Sequence, residues 1–356
     1  MTRLASLSKL VVAKELGLVE AAGAVLASRL EAKADLPPRP IANTDGWAVN
    51  AEELIGSSAY TAAVLQSPRW VDAGDAMPNT DAVLSPECIS FSAPDIAEAA
   101  GSVVPGEGVR LQGQDVAAGE VLLEAGTRLE PRHIGLLQAC GFQAVAVRIP
   151  RLRIVIASGG AALHGPMIRS WLEAGGGHVE DVVSAPGDRG VLAAQYRRPG
   201  ADLVISLGGT GQGRNDCAVA ALLDAGSVAV HGVALRPGST AAFGSAGSAT
   251  VLLLPGQLDA MIAGMLMLAM PALAGASGFR TKDRSSVYAL VEKVTSVVGL
   301  GELFLGLPAG DAIRAVPLAE ARLDALAQAI GWFTVPPELE GLAAGQNVHL
   351  RSFHPG

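Results

Sequence analysis

The segment Leu203-Val-Ile-Ser-Leu-Gly-Gly-Thr-Gly-Gln-Gly-Arg-Asn-Asp216 carries the strongest chemical signal in the chain. An apolar run of strand type empties into four glycines, Gly208, Gly209, Gly211 and Gly213, with a helical pattern beginning near Asp216. Glycine tolerates positive φ and lets a backbone come close to a ligand. Successive N–H groups ahead of a helix then offer a seat for a phosphate. Thr210 adds a hydroxyl and Arg214 a charge. Asp216 has two readings: a cap for the helix that follows, or a carboxylate that orients a ligand or holds Mg²⁺. The spacing matches neither the dinucleotide fingerprint nor the Walker loop, and a tight turn is the plain alternative to phosphate binding.

Two more loops, Leu235-Arg-Pro237-Gly238-Ser239-Thr240 and Leu254-Pro255-Gly256-Gln257, each follow a strand-like run. Either Pro-Gly pair alone reads as turn punctuation. On one edge of one sheet, the three loops together would line a pocket for a phosphorylated small molecule. Asn43-Thr-Asp45-Gly46-Trp47-Ala48 also has two readings. Asp-Gly favours a hairpin turn, and Asp45 is equally an exposed carboxylate placed against a neighbouring domain or subunit. His133, His164, His178, His231, His349 and His354 show no HExxH or paired spacing, so each reads as a surface or satisfied core residue. Ser158-Gly159-Gly160 is not a GxSxG elbow. Cys88, Cys140 and Cys217 form no CxxC pair and read as reduced thiols of a cytoplasmic protein.

The elements that must position these loops are legible in Leu152–Gly278. Apolar runs at Ile154–Ala157, Val179–Val183, Leu203–Leu207, Val228–Val233 and Val251–Leu254 alternate with helical spacing at Met167–Ala174, Gly190–Tyr196 and Asp216–Ala225. Such alternation predicts a mainly parallel, doubly wound sheet, with ligands beyond the carboxyl ends of its strands. The loops that matter are then Ser158–Gly165, Gly208–Asn215 and Pro255–Leu258. Earlier in the chain, Leu4–Ala34 looks helical up to Pro37-Pro38. Ile41–Val147 reads as short strands cut by Gly and Pro, with a helix at Pro131–Gly141. After Arg280, short strands near Val287–Val294, Glu302–Leu305 and Val348–Leu350 surround a helical Leu318–Ile330.

Composition narrows the function classes. Half of the 356 residues are hydrophobic but only 4% are aromatic, with 43 glycines, so several cores must be built from Ala, Val and Leu. The formal charge of −8 comes with no Lys/Arg block, which argues against a nucleic-acid partner. Ala260–Phe279 is uncharged and long enough to span a bilayer, but Pro271 and its glycines favour a core helix, so no membrane role is expected. Met1–Val12 has no long apolar run and no small-residue cleavage site, so secretion is not signalled.

These pieces, in this order, resemble the molybdopterin molybdenumtransferase family, which includes the E domain of gephyrin, over nearly the whole chain. Ala21-Ala-Gly-Ala-Val-Leu-Ala27 with Asp35-Leu-Pro-Pro38 is similar to the family's entry helix and its exit. Asn43-Thr-Asp-Gly-Trp-Ala48 resembles its S-x-M-D-G-Y-A motif. Ala73-Gly-Asp-Ala-Met-Pro78 and Thr80-Asp-Ala-Val83 resemble its T-G-A-x-x-P and A-D-A-V run, and Gln112-Gly-Gln-Asp115 with Gly119-Glu120 its G-x-D-x-x-x-G-E stretch. Gly208-Gly-Thr-Gly211 with Asp216 resembles G-G-x-S-x-G-x-x-D, Arg236-Pro-Gly238 resembles P-G-K-P, and Leu254-Pro-Gly256 resembles L-P-G-N-P. Leu326-Ala-Gln-Ala-Ile-Gly331 and Ala344–Val348 are similar to its C-terminal barrel.

The resemblance implies a multidomain α/β protein. Residues 1–150 would form an N-terminal helical and β dimerisation region, with a small β-rich domain inserted at about 45–125. Residues 151–279 would form the doubly wound molybdopterin-binding domain, and residues 280–356 a β-barrel. It implies a homodimer with Asp45 facing the partner's central domain, and molybdate insertion into adenylated molybdopterin with release of AMP and use of Mg²⁺. Asp45 and Asp216 would be the catalytic carboxylates, with Asp216 the candidate metal ligand. Gly208, Gly209, Thr210, Gly211, Gly213, Pro237, Gly238, Ser239, Pro255 and Gly256 would hold the pterin. A molybdoenzyme or an adenylyltransferase is the implied protein partner. The chain departs from the pattern at Ser158-Gly-Gly-Ala-Ala-Leu163, where the family has T-G-D-E-L, at Ser239 and Thr240, and at Gln257-Leu258. With two acids missing, the alternative is a catalytically impaired molybdopterin-binding or carrier protein serving a molybdoenzyme.

Overall fold

Six strands between Arg151 and Leu254 form one sheet: β1 (Arg151–Ile156), β2 (His178–Ser184), β3 (Leu203–Leu207), β4 (Ser227–His231), β5 (Ala242–Ala246) and β6 (Ala249–Leu254). Their spatial order is β2-β1-β3-β6-β5-β4. The first four of these are mutually parallel, and β5 and β4 complete the edge antiparallel. Helices cover both faces, as the near-continuous apolar runs require, because a parallel strand buried on two sides has no polar face to show. On one face α1 (Gly165–Ala174) and a long C-terminal helix pack on Ile154, Ile205 and Leu252. On the other, α2 (Arg189–Arg197) and α3 (Ala218–Ala225) pack on Val155, Val204 and Val251.

The long helix runs as α4 (Leu258–Gly264), a π turn (Met265–Ala269) and α5 (Met270–Ser277). It is apolar enough to cross a bilayer, but 72% of it is buried within the protein, so it is a core helix. Pro271 follows directly on the π turn, where the helical hydrogen-bond ladder is already interrupted.

The computed structural model describes residues 9–185, 187–280 and 285–353. His354 lies outside them. The chain divides into two units, one comprising Met1–Ser28, Ala125–Ile134 and Gln143–Gly356, the other Arg29–Glu124 and Gly135–Phe142. Within the second, Gly46–Val49 pairs with Arg69–Val71 and Ala82–Leu84, and Ile96–Ala99 pairs with Ala63–Gln66 and Ile89–Ala93. These are the short strands expected there, and the helix expected at Pro131–Gly141 is present at Pro131–Ala139.

The helix expected at Leu4–Ala34 is not formed among the described residues. Lys14–Gly17 is instead a strand, antiparallel to Ala144–Arg148, which also pairs with Val25–Leu26. Gly23, at φ +82°, breaks the run between them. Alanine-rich sequence favours a helix locally, but pairing with a strand more than a hundred residues away buries Val25 and Leu26 completely and overrides that preference.

After the central sheet come β7 (Ser286–Ala289), β8 (Gly301–Ala309), β9 (Ala312–Pro317), β10 (Gly331–Val335) and β11 (Asn347–Leu350). Full ladders join β9 to β8, β8 to β10 and β11 to β7. Single bridges, Trp332 to Arg351 and Leu290 to Ile313, link the remaining neighbours. The pairings therefore run in a ring with two thin joints, and no continuously laddered barrel is present among the described residues. The helix expected over Leu318–Ile330 is also shorter: a 3₁₀ turn at Leu318–Glu320 and a helix at Leu323–Gln328, separated by an extended Arg322. Leu318 is drawn into a core shared with the central sheet's helices, which breaks the helical run.

Candidate functional site

Strands β1, β3 and β6 are adjacent and point the same way, so their carboxyl ends deliver Ser158, Gly208 and Gly256 to one place. The strand order reverses at β1, with β2 on one side and β3 on the other, which is where open α/β sheets bind ligands. Gly208 is buried at φ +88°. A methyl there would strike the Ser158 hydroxyl and come within 2.8 Å of Ser158 Cβ. On Gly256 it would lie 3.2 Å from Ser158 Oγ and 3.4 Å from the Gly208 Cα. The Ser158 side chain thus sits against two glycine backbones from two other loops. Ser158 was not among the site residues inferred from sequence, since a lone Ser-Gly-Gly gives no sign of what it will face.

Gly209, at φ +71°, turns the chain so that its carbonyl accepts from the Ala218 N–H at 3.0 Å, closing the loop onto the first turn of α3. Thr210 is 3% exposed, and its hydroxyl is 3.0 Å from that of Thr240. This bond joins a further loop, Arg236–Thr240, to the loop that carries Gly208. Gly238 is buried at φ +112°, where an added Cβ would be 3.3 Å from the Ala260 carbonyl of α4. Ser239 is exposed.

Asp216 does not cap α3. The N-cap is Cys217, which makes no side-chain cap bond. The Asp216 carboxylate instead accepts from the Gly213 N–H at 2.9 Å, while its own N–H donates to the Gly213 carbonyl. A Cβ on Gly211 would stand 2.7 Å from Asp216 Oδ2. The glycines at 211 and 213 therefore make room for an exposed carboxylate folded over its own loop. Burial and the nearby Asp188 push the Cys217 thiol up, against the smaller pull of Arg189.

Asp45 belongs to the other unit. Its Oδ1 accepts from the Ala73 N–H at 2.8 Å, and its side chain is exposed. Gly46 is not in a hairpin turn: it opens a strand, and a Cβ would lie 2.8 Å from Val83 Cγ1 in the neighbouring strand. Trp47 packs against Trp70 and Phe91 at ring centroid distances of 5.3 and 4.9 Å.

Known proteins resemble this chain over most of its length. Residues 2–141 match the family described as the MoeA N-terminal region (domain I and II), and residues 151–275 match a probable molybdopterin binding domain. The molybdopterin molybdenumtransferase 2 of Mycobacterium tuberculosis is 26% identical, with 94% of this chain and 93% of that protein covered. The molybdopterin molybdenumtransferase of Synechococcus elongatus is 25% identical over the same shares. A crystal structure of the MoeA protein of Pyrococcus horikoshii superposes with a TM-score of 0.79 at 21% identity, covering 99% of this chain and 97% of that one. The chain is a divergent member of the MoeA family.

In this MoeA-family protein the loop after β1 runs into a 3₁₀ turn, Gly159–His164. Gly159 and Gly160 face open space, and Ser158 to Leu163 contains no carboxylate. Among the described residues no three His, Cys, Asp or Glu side chains come together in a metal-holding group. Mg²⁺ demands near-octahedral oxygen donors, and Asp216 is the single carboxylate within residues 158–165, 208–216, 236–240 and 255–258. The donor set does not fit a cation held by the protein alone.

Proposed function

We propose that this chain, whose family works in molybdenum cofactor biosynthesis, binds adenylated molybdopterin across the loops at the carboxyl edge of β1, β3 and β6, and inserts molybdate with release of AMP. The observation that carries this reading is the convergence of Ser158, Gly208 and Gly256, tied to the Arg236–Thr240 loop by the Thr210–Thr240 bond. Gly208 and Gly209 have positive φ and are buried, so no Cβ shields the loop there; the Gly208 N–H is taken by the Leu254 carbonyl and the Gly213 N–H by Asp216, and the amides between them face an anionic group. Gly208, Gly209, Thr210, Gly211 and Gly213 form the floor of the site. Pro237, Gly238 and Ser239 form one wall and Pro255 and Gly256 another. Asp216, exposed above the floor, orients the reacting end of the ligand.

The reading extends to the whole molecule. Residues 1–150 serve dimerisation, 151–279 bind the pterin and 280–356 support that domain. Two copies assemble in the cytoplasm, with Asp45 of each serving the other's site, and deliver the product to a molybdoenzyme or receive substrate from an adenylyltransferase.

One observation favours a second reading, a pterin-binding carrier with impaired catalysis: the loop after β1 holds no carboxylate where the resemblance implies the two acids of T-G-D-E-L. Purified protein given adenylated molybdopterin, with and without molybdate and Mg²⁺, separates the two. Molybdate-dependent AMP release establishes the transferase. Tight pterin binding without release establishes the carrier. Neither binding nor release would overturn both.

A further inference from the structure

Arg236 stands at the foot of the Pro237–Thr240 loop, yet its guanidinium is turned away, toward the C-terminal strands. Its Nε lies 3.4 Å from Glu302 Oε1, and one terminal nitrogen lies 3.7 Å from Glu320 Oε1. The backbones are joined at the same point. Leu235 and Arg236 pair in parallel with Gly301 and Glu302, and the Gly301 N–H donates to the Ala234 carbonyl at 2.9 Å. Apolar side chains from both sides, Leu235 and Ile262 with Leu303 and Trp332, close over this junction.

Glu302 is 2% exposed, and its Oε2 finds no hydrogen-bond partner among the described residues. A buried carboxylate is costly unless a cation faces it, and here the nearest is Arg236. The pair therefore constrains Arg236 more firmly than an exposed ion pair would. Beyond Arg236 the loop is internally braced. The Val233 N–H donates to the Ser239 carbonyl at 3.0 Å, the Ala241 N–H to the Gly238 carbonyl at 3.0 Å, and Thr240 meets Thr210.

We propose that Glu302 is a positioning residue for the ligand loop: by holding Arg236 it seats Pro237–Thr240 against Thr210, so the C-terminal strands belong to the pterin site without touching its ligand. Arg236 is then a strut and not an anion contact. The inference rests on the reading of these loops as the pterin site, and two separate readouts on the full chain keep the two apart.

The first readout is hydrogen exchange at the Val233 and Ala241 amides, which needs no ligand. In Glu302→Gln, exchange at both should rise by about tenfold, the loss of one charge-assisted contact. The Ala157 and Gly208 amides, bonded within the central sheet, should keep wild-type protection. The second is affinity for adenylated molybdopterin, expected to fall about tenfold in Glu302→Gln and to stay near wild type in Arg236→Lys, which keeps the charge. Wild-type protection at Val233 and Ala241 in Glu302→Gln overturns the proposal, as does a loosened loop with unchanged affinity. A loosened loop in a protein whose wild type does not bind the pterin leaves the strut standing and removes the proposed function. Should Glu302→Gln not fold, the pair R236Q/E302Q leaves no buried charge unpaired and carries the same readouts.

Discussion

Gly208 and Asp216 lie eight positions apart in one loop and make opposite kinds of contribution. Gly208 is required by geometry. Alanine there meets both a left-handed backbone, costing about 1–2 kcal/mol, and overlap with Ser158, costing about 1–3 kcal/mol. Gly208→Ala should lower unfolding free energy by about 2–5 kcal/mol in a denaturant titration. Adding Ser158→Gly should recover the overlap share and leave the backbone share; equal losses in the single and double variants would show that Ser158 does not set the constraint. Asp216 is exposed and bonds only within its own loop. Asp216→Ala should therefore change stability by no more than about 0.5 kcal/mol while weakening pterin binding. A melting-temperature loss matching a lost helix cap would contradict the placement of the N-cap at Cys217.

At the scale of elements, the strands that present the loops are held by buried polar groups as well as by apolar layers. Arg153 in β1 is 1% exposed and fully engaged, with Asp181 of β2 at 3.0 Å and the carbonyls of Arg198 and Pro199 at 2.7 and 3.0 Å. Tyr196 of α2 is fully buried, and its hydroxyl is 2.8 Å from that of Ser206 in β3. Burial pushes the Tyr196 hydroxyl far above the usual tyrosine range, with the Ser206 bond opposing weakly. The folded state then resists ionisation that the unfolded chain undergoes near about pH 10. Stability from this group is complete below that pH and is lost as pH rises above it, by about 1.4 kcal/mol per pH unit. Tyr196→Phe should cost about 1 kcal/mol at neutral pH yet show a shallower alkaline decline. Urea midpoints followed from about pH 8 to about pH 11 test this, and parallel profiles for the two proteins would refute it.

For the whole molecule, the central sheet and the C-terminal strands share a core. Leu235, Ile262, Ala263 and Leu266 pack with Leu303, Leu305, Leu318 and Trp332, and Trp171 of α1 stacks on Phe353 at 6.2 Å. Helix α1 follows directly from the loop at Ser158, so C-terminal packing reaches two of the loops in the cluster. A fragment ending at residue 279 exposes the central half of this core. It should aggregate or melt well below the full chain, and calorimetry of the full chain should show the central sheet and β7–β11 unfolding in one transition. A fragment with an unchanged melting temperature would show that the shared core contributes little.

Much of this was legible in the residue order. Leu203–Leu207 appears as a strand with the bounds its apolar run predicts, because a parallel strand buried on both faces is apolar at nearly every position, Ser206 being the exception here. The glycine loops after β3 and β6 and the core character of Leu258–Ser277 followed from local composition in the same way. Local pattern reports the period of a segment and its turns. It does not report the partner that a segment will meet. The alanine-rich N-terminal stretch became strands because Ala144–Arg148 was there to pair with it. Ser158 became part of the loop cluster because sheet order set β3 and then β6 beside its own strand, bringing Gly208 and Gly256 to it, and Arg236 became a strut because parallel pairing put Glu302 beside it. Sequence determined the elements and the glycines that free the loops; contacts between residues thirty or more positions apart, which only the tertiary structure creates, decided what those loops face.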